Sequence, residues 1–311
     1  MTKIFGRVVN FKDAITVSRL LYSDWHCSVF FEESSIAIVC GSEKTKISCD
    51  PRLFCSNSSH LFVLTANGII LSFSKATNVV SPLDLASCRF IAANDEELYC
   101  ISMDDFLVVY PIKDLNRKPK PSYPLPMKVK TVACGAGFAF RGQLGHGDLE
   151  SRSTPEAIEA LRPVTSTAIA CGFLHSACLT DTGDVYTWGS NEFGQLGYTS
   201  LNLERSRQLS TPFLPSDLGV NVNALPAPVD FPDDCLITAI ACGSRHTVCL
   251  SEDSNLYSFG WNGFGQLGLE PESGRMVDRY PYQTASDRVN RINLPLPSQN
   301  QLSVTCGHWC T

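Results

Sequence analysis

A segment of 29 residues occurs twice in the sequence, and this repeat limits the possible folds more than any other feature. Residues 169–197 and residues 240–268 align without a gap. The two copies share a Cys-Gly-x-x-His pattern near the start and a Gly-Gln-Leu-Gly pattern at the end, and Cys242 follows Cys171 by 71 residues. Chance does not produce a match of this length, so we predict a fold made of repeated units.

Each copy predicts a β-hairpin. In the first copy, residues 169–179 are small and β-branched, which predicts one strand, and residues 185–188 predict a second strand after a turn at residues 181–184. Gly189 and residues 194–197 then reverse the chain again. A small sheet buries its two faces only against neighbouring sheets, which is the arrangement of a β-propeller.

The Cys-Gly-x-x-His pattern and the pattern Tyr-x-Trp-Gly-x-Asn-x-x-Gly-Gln-Leu-Gly closely resemble the regulator of chromosome condensation repeat. The resemblance is specific over residues 131–311 and weaker before them. It implies an all-β fold, namely a seven-bladed β-propeller that occupies residues 1–311 as a single domain. Residues 1–110 would then hold three degenerate repeats.

Two repeats are shorter than the family pattern. The truncated repeat at residues 131–147 has fifteen residues fewer between Cys134 and Gln143 than the two full copies have at the same positions. The closing repeat begins at residues 303–311, and five residues follow Cys306. We therefore expect one blade without its central hairpin and a clipped closing blade, from a splice variant or an imperfect gene model. The uncovered apolar faces would cost several kcal/mol at ~25 cal/mol per Å².

The 14 cysteines include no Cys-x-x-Cys pair. Zinc fingers and thioredoxin-type motifs need two closely spaced thiols, so we predict no metal site and no redox motif. Charged residues interrupt every apolar run near the N-terminus, which argues against a signal peptide, so we expect an intracellular protein with free cysteines. We place Cys178 on the same strand as Cys171. The cysteines that mark repeats are Cys134, Cys171, Cys178, Cys242, Cys249 and Cys306.

The recurring polar and aromatic residues predict structural positions. A catalytic centre needs unlike groups that converge, whereas His175 and His246 recur once per repeat, as a structural hydrogen bond does. The alternative is that these histidines act as bases or ligands. The sequence has no phosphate-binding glycine loop, nucleophile elbow or His-Glu-x-x-His motif, so we predict neither an enzyme nor a cofactor. The predicted structural positions are Cys171, His175, Trp188, Gly189, Gln195, Cys242, His246, Gly260 and Gln266.

Two irregular segments are candidates for partner binding. Residues 111–130 hold five prolines and six basic residues against one acid, and we expect them to pack as neither strand nor helix. They are either a solvated basic linker or an extended peptide presented to the acidic groove of a partner. Residues 199–238 form a long insertion, also with five prolines. Trp261 is an extra aromatic residue that we place on a loop. The candidate partner-binding residues are Arg117, Lys118, Lys120 and Trp261.

The charge balance and the resemblance together lead to a function. The 31 acidic and 25 basic residues give a net charge of −6, which argues against direct binding to nucleic acid. No apolar run is long enough to span a membrane. The resemblance, above all to a small single-propeller member of the family, implies a monomeric, non-enzymatic scaffold for protein–protein interaction. It implies a nuclear, chromosome-associated partner of a JmjC-domain histone-modifying oxygenase or of histones, with a role in chromosome segregation. The alternatives are a guanine-nucleotide exchange factor for a small nuclear GTPase and a cytoplasmic adaptor.

Overall fold

The computed structural model describes residues 19–23, 27–32, 35–40, 42–115, 119–125, 133, 139–152, 154–208, 221–232, 235–263, 265–269, 285–292, 304 and 306. These residues form five antiparallel sheets of four strands each and one short α-helix. They belong to two compact units, one within residues 10–137 and one within residues 138–311. The number of seven blades stays a prediction.

The unit within residues 10–137 contains three sheets, in which each strand pairs with the next along the chain. Sheet 1 consists of β1 (Arg19–Ser23), β2 (Cys27–Glu32), β3 (Ser35–Cys40) and β4 (Glu43–Ile47). Sheet 2 consists of β5 (Pro51–Ser56), β6 (His60–Thr65), β7 (Ile70–Ser74) and β8 (Val80–Leu83). Sheet 3 consists of β9 (Cys88–Ala93), β10 (Glu97–Ser102), β11 (Phe106–Pro111) and β12 (Tyr123–Pro124).

The unit within residues 138–311 contains two sheets with the same sequential strand order, and these sheets include the strands of the two full repeats. Sheet 4 consists of β13 (Ser166–Cys171), β14 (His175–Thr180), β15 (Val185–Ser190) and β16 (Val222–Pro228). Sheet 5 consists of β17 (Ile237–Cys242), β18 (His246–Ser251), β19 (Leu256–Trp261) and β20 (Ala285–Ile292). The helix α1 (Leu201–Gln208) lies in the connection between β15 and β16, and no helix among the described residues is long and apolar enough to cross a bilayer.

The middle strands are buried on both faces, which explains their continuous apolar runs. In β6, Leu61 and Val63 join the core that includes Ile36 of sheet 1, whereas Phe62 and Leu64 join the core between sheets 2 and 3. Successive side chains of a strand point to opposite faces, so one strand supplies two cores. Each large apolar side chain buried in this way contributes about 1.5–3 kcal/mol. The equivalent core between sheets 4 and 5 contains Leu179, Val185, Val229, Ile237, Cys249, Tyr257 and Phe259.

The fourth strand of three sheets contains proline. Pro82 lies in β8, Pro124 in β12, and Pro226 and Pro228 in β16. Each of these strands pairs on one side only within its sheet, and proline is tolerated there because the missing N–H is not required by a second neighbour. Proline on an outer strand also discourages pairing with another chain.

Three expectations about the strands and the cysteines are wrong. Residues 169–179 form two strands rather than one: a turn at residues 172–174 separates β13 from β14, and Ile169 pairs with Cys178. Cys171 and Cys178 therefore lie on neighbouring strands. The basic segment contributes a strand, since Tyr123–Pro124 pairs with β11.

The third wrong expectation concerns the cysteines. Cys40 is disulfide-bonded, and its Cα partner in the β2–β3 ladder is Cys27. Ten other cysteines are free: Cys49, Cys55, Cys88, Cys100, Cys171, Cys178, Cys235, Cys242, Cys249 and Cys306. Cys134 lies outside the described residues.

Two predicted repeats are described only in part. The truncated repeat at residues 131–147 is described at residues 133 and 139–147, which hold a 3-10 turn and a Gly-Gln-Leu-Gly loop but no strand. The closing repeat at residues 303–311 is described at residues 304 and 306. Within the insertion at residues 199–238, the structure places α1 and the outer strand β16.

Candidate protein-interaction surface

The Cys-Gly-x-x-His pattern forms the turn between the first two strands of sheets 4 and 5. The histidine ring packs directly on the glycine, because a Cβ at Gly172 would lie 2.2 Å from Cε1 of His175, and one at Gly243 would lie 1.9 Å from Cε1 of His246. Both turns are closed by a hydrogen bond from the glycine N–H to the histidine carbonyl, at 2.8 and 2.9 Å. Only glycine leaves room for the ring, while Cys171 and Cys242 end the preceding strands.

His175 links sheet 4 to sheet 5. Its Nε2 lies 2.9 Å from Oγ1 of Thr247, and that hydroxyl donates its single hydrogen to the carbonyl of Gln195 at 2.9 Å. His175 Nε2 must therefore carry a proton and donate to Thr247. Burial, and to a smaller extent His246, lowers the pKa of His175 to about 3. This geometry supports a structural role for the histidine.

The Gly-Gln-Leu-Gly loops are held by their own side chains. The side-chain oxygen of Gln195 accepts the N–H of Phe193 at 2.8 Å, and that of Asn191 accepts the N–H of Leu196 at 3.1 Å. Thr187 donates to the Leu196 carbonyl at 2.7 Å. In sheet 5 the same bonds run from Leu267 N–H to Asn262 and from Ser258 to the Leu267 carbonyl, and Gln266 is fully buried.

The loops that contain Gln143 and Gln195 also lie against a neighbouring sheet. The carbonyl of Gln143 accepts hydrogen bonds from the Trp188 indole at 2.8 Å and from the Ser176 hydroxyl at 2.9 Å. The Gln195 carbonyl accepts the equivalent bond from Thr247. The loop of one repeat is thus fixed by the strands of the next.

The glycines that follow the aromatic residues are required by their backbone. Gly189 and Gly260 have φ of +106° and +112°, a region that residues with a Cβ rarely adopt. A Cβ at Gly189 would lie 2.6 Å from the carbonyl oxygen of Leu174, and one at Gly260 would lie 2.5 Å from that of Arg245. At both positions the absence of a Cβ lets the strand pack against the neighbouring turn.

The basic segment at residues 111–130 is anchored before and after its central residues, Arg117 and Lys118. Before them, Ile112 is the first residue of a 3-10 turn and is buried. After them, the N–H of Lys120 donates to the Val109 carbonyl at 2.9 Å, and its ammonium group pairs with Glu97, which raises the pKa of Lys120. Arg117 and Lys118 lie outside the described residues.

Trp261 is the last residue of β19 and is half-buried, rather than part of a loop. Its ring packs over Gly263, where a Cβ would lie 2.3 Å from Cζ2, and against Phe193 with centroids 6.4 Å apart. The Arg245 guanidinium stacks on the same Phe193 ring, with its Cζ 4.8 Å from the ring centroid.

These residues belong to a row of contacts that the sequence did not predict. Arg141 bonds to Glu192 at 2.6 Å and lies 5.7 Å from the ring centroid of Phe140, and the Phe173 N–H donates to Ser244 beside Arg245 at 3.1 Å. All lie at the end of sheets 4 and 5 where the histidine turns are. We name this surface the aromatic–arginine face; its members are Phe140, Arg141, Phe173, Glu192, Phe193, Arg245 and Trp261.

Comparison with known proteins identifies the repeat. The model of the regulator of chromosome condensation (RCC1) repeat matches residues 136–179 and 182–250, and a second model of this repeat matches residues 167–195 and 237–266. The chain therefore carries RCC1 repeats. The described residues contain no group of three or more His, Cys, Asp or Glu side chains placed to hold a metal ion.

Relatives and solved structures show the same repeat and fold. RCC1 domain-containing protein 1 of Homo sapiens is 34% identical over 201 residues, covering 56% of this chain and 49% of the relative. Protein RCC2 of Homo sapiens is 36% identical over 180 residues, covering 54% and 31%. Prp20p from Saccharomyces cerevisiae, whose binding to Gsp1p and histones has been studied, superposes with a TM-score of 0.51 at 17% identity, covering 90% of this chain and 64% of Prp20p. The fold is an all-β propeller of the RCC1 type, and the chain spans half or less of the length of these curated relatives.

Proposed function

We propose that this protein is a non-enzymatic propeller scaffold that binds other proteins, and that the basic segment at residues 111–130 is one of its binding elements. The observation that carries the proposal is the anchoring of this segment. Buried Ile112 holds the side before Arg117 and Lys118, and the paired strand at Tyr123–Pro124 holds the side after them. A short basic stretch between two fixed points loses little conformational entropy when a partner binds.

The finer proposal is a nuclear, chromosome-associated role. We propose a JmjC-domain histone-modifying oxygenase as the partner, with histones as a further partner and chromosome segregation as the process. The similarity to RCC1 domain-containing protein 1 and the fold shared with Prp20p, a protein studied for histone binding, support this proposal. An acidic groove on the partner would complement the cations at positions 117, 118 and 120.

The test reverses two charges without removing the strand that anchors the segment. Arg117→Glu combined with Lys118→Glu leaves Tyr123–Pro124 in place, whereas deletion of the whole segment would remove β12. The control is Lys44→Glu combined with Lys46→Glu, on the exposed outer strand β4. We expect the first variant to bind the oxygenase domain about tenfold more weakly by calorimetry and the control to bind within about twofold of wild type. Equal binding by both variants would contradict the role of the segment.

A second candidate function is guanine-nucleotide exchange on a small nuclear GTPase. It is supported by the fold shared with Prp20p, which has been studied for binding to Gsp1p. Accelerated release of labelled nucleotide by substoichiometric amounts of this protein would establish exchange activity, and an unchanged release rate would refute it. A cytoplasmic adaptor is separated from both by fluorescence localisation, because it predicts exclusion from the nucleus.

A further inference from the structure

The aromatic–arginine face combines exposed apolar side chains with cations. Phe140 is 53% exposed and Phe173 is 38% exposed. Phe140 lies beside Arg141, and Phe173 is bonded to Ser244, the neighbour of Arg245. Phe193 is buried under Arg245 and beside Trp261. Arginine and tryptophan are enriched among residues that dominate the affinity of protein interfaces, particularly where aromatic neighbours exclude water.

The face is built on rigid supports rather than on mobile loops. The Gln195 side chain holds the Phe193 backbone, and the Gln143 side chain holds the backbone of Arg141 at 3.0 Å. The turn that carries Phe173 is bonded to the turn that carries Arg245. A face with fixed backbone pays little ordering cost on binding.

The charge of this face differs from that of the opposite end of the same two sheets. The face carries two arginines and one glutamate, and Arg141 is paired with that glutamate. At the opposite end, the turns between β14 and β15 and between β18 and β19 expose four acids: Asp181, Asp184, Glu252 and Asp253. The chain as a whole has a net charge of −6. At that opposite end Arg291, bonded to Asn255, stands against these four acids. The aromatic end of sheets 4 and 5 is therefore less acidic than the opposite end.

We propose that the aromatic–arginine face binds an acidic segment of a partner protein that also carries apolar side chains. Carboxylates of the segment would meet Arg245 and Arg141, since a planar guanidinium suits carboxylate geometry and stacks on aromatic rings at the same time. Apolar side chains of the segment would cover Phe140 and Phe173. A basic segment would be repelled by the face and attracted to the opposite end of the sheets. This surface is distinct from residues 111–130 and does not depend on the function proposed for them.

The test uses three labelled peptides of equal length in fluorescence anisotropy with the full chain. The first alternates Glu with Phe and Leu, the second replaces Glu by Lys, and the third replaces Phe and Leu by Gly and Ser. We expect the first peptide to bind most tightly, by about tenfold over each of the others. Stronger or equal binding of the lysine peptide would overturn the proposal.

Variants locate the binding site. Arg245→Glu is expected to weaken binding of the first peptide about tenfold, and Phe140→Ser, at an exposed position, about threefold. Arg162→Glu, at an exposed arginine that pairs with Glu159 outside the face, should bind within about twofold of wild type. The Arg117→Glu and Lys118→Glu variant should retain full binding, which separates this site from the basic segment.

Two outcomes would refute the assignment. Unchanged peptide binding by both Arg245→Glu and Phe140→Ser would remove the face from the site. Sedimentation that shows a wild-type dimer, dissociated by Phe140→Ser, would show that a second copy of this chain occupies the face instead.

Discussion

Sheets 4 and 5 come from the two copies of one repeat, and they share a set of turn and loop residues but differ at both ends of the sheets. The cysteines, the histidine, the glutamine and four of the glycines occupy the same positions in both copies. The shared glycines, histidine and glutamine close turns or hold loops. The pair Phe173 and Leu174 of sheet 4 becomes Ser244 and Arg245 in sheet 5, and Ser190 becomes Trp261. The repeat thus preserves a frame of shared turns and loops while the residues at its ends vary, and variable loops on a rigid scaffold are where recognition is usually placed.

The largest effect is expected where the frame leaves no room. Gly260→Ala places a Cβ 2.5 Å from a backbone carbonyl at a φ of +112°, so we expect a loss of about 3–5 kcal/mol in the free energy of unfolding. Gly265→Ala is the matched control, because its φ is +76° but nothing lies within 4 Å of the new Cβ. That control should cost about 1 kcal/mol, and urea unfolding compares the two variants. Similar losses would show that steric closure does not define the frame.

The hydrogen bonds between repeats should differ in strength between the two sheets. Thr247→Val removes the bonds to both His175 and Gln195 in a buried site, and we expect a loss of about 2–3 kcal/mol. Ser176→Ala removes one bond, to Gln143, at a partly buried site, and should cost about 1 kcal/mol. Calorimetric melting measures both. A larger loss for the serine variant would contradict the assigned network.

The buried histidine predicts a pH dependence. The pKa of His175 is lowered by burial to about 3, below its unfolded value of about 6.5, so the unfolded chain binds more protons between these values. The contribution is fully present above about pH 6.5 and is lost as the pH falls towards about 3. We expect a loss of about 2 kcal/mol between about pH 7 and about pH 5. Urea unfolding of wild type and His175→Asn measures this contribution, which should be absent from the variant; an equal slope in both would contradict it.

The smallest effect is expected at the outward residues. Trp261→Ser restores the residue that sheet 4 has at this position, and the half-buried ring packs on Phe193 and Gly263. We expect a loss of about 1 kcal/mol in the free energy of unfolding. Thermal melting measures this loss. A loss as large as that of Gly260→Ala would show that Trp261 belongs to the shared frame rather than to the variable residues.

Much of the frame could be predicted from the sequence, and the predictions that were wrong have physical causes. The repeat predicted the hairpin at residues 175–190 because strand residues flank a clear turn at Thr182 and Gly183. It did not separate β13 from β14, since the turn at residues 172–174 depends on the close approach of His175 to Gly172 rather than on turn residues. The strand at Tyr123–Pro124 was missed because proline disfavours central strands, but an outer strand accepts it.

The aromatic–arginine face could not be predicted from one repeat. Arg245 belongs to a turn of sheet 5, whereas Phe193 belongs to the loop that follows β15 of sheet 4, and the two meet because the Gln195 loop lies against sheet 5. Their separation of 52 positions in the sequence carries no periodic signal. Aromatic residues just before the Gly-Gln-Leu-Gly pattern were the available hint.

The most direct measurement is the affinity of the acidic, apolar peptide for a variant in which sheet 5 receives the outward residues of sheet 4. This variant combines Arg245→Leu and Trp261→Ser and keeps the buried Ser244. Its folding is checked by melting, which should remain within about 5 °C of wild type. If the repeats share a frame and differ in recognition, affinity falls about tenfold while the fold is kept. Unchanged affinity in the folded variant would contradict the account.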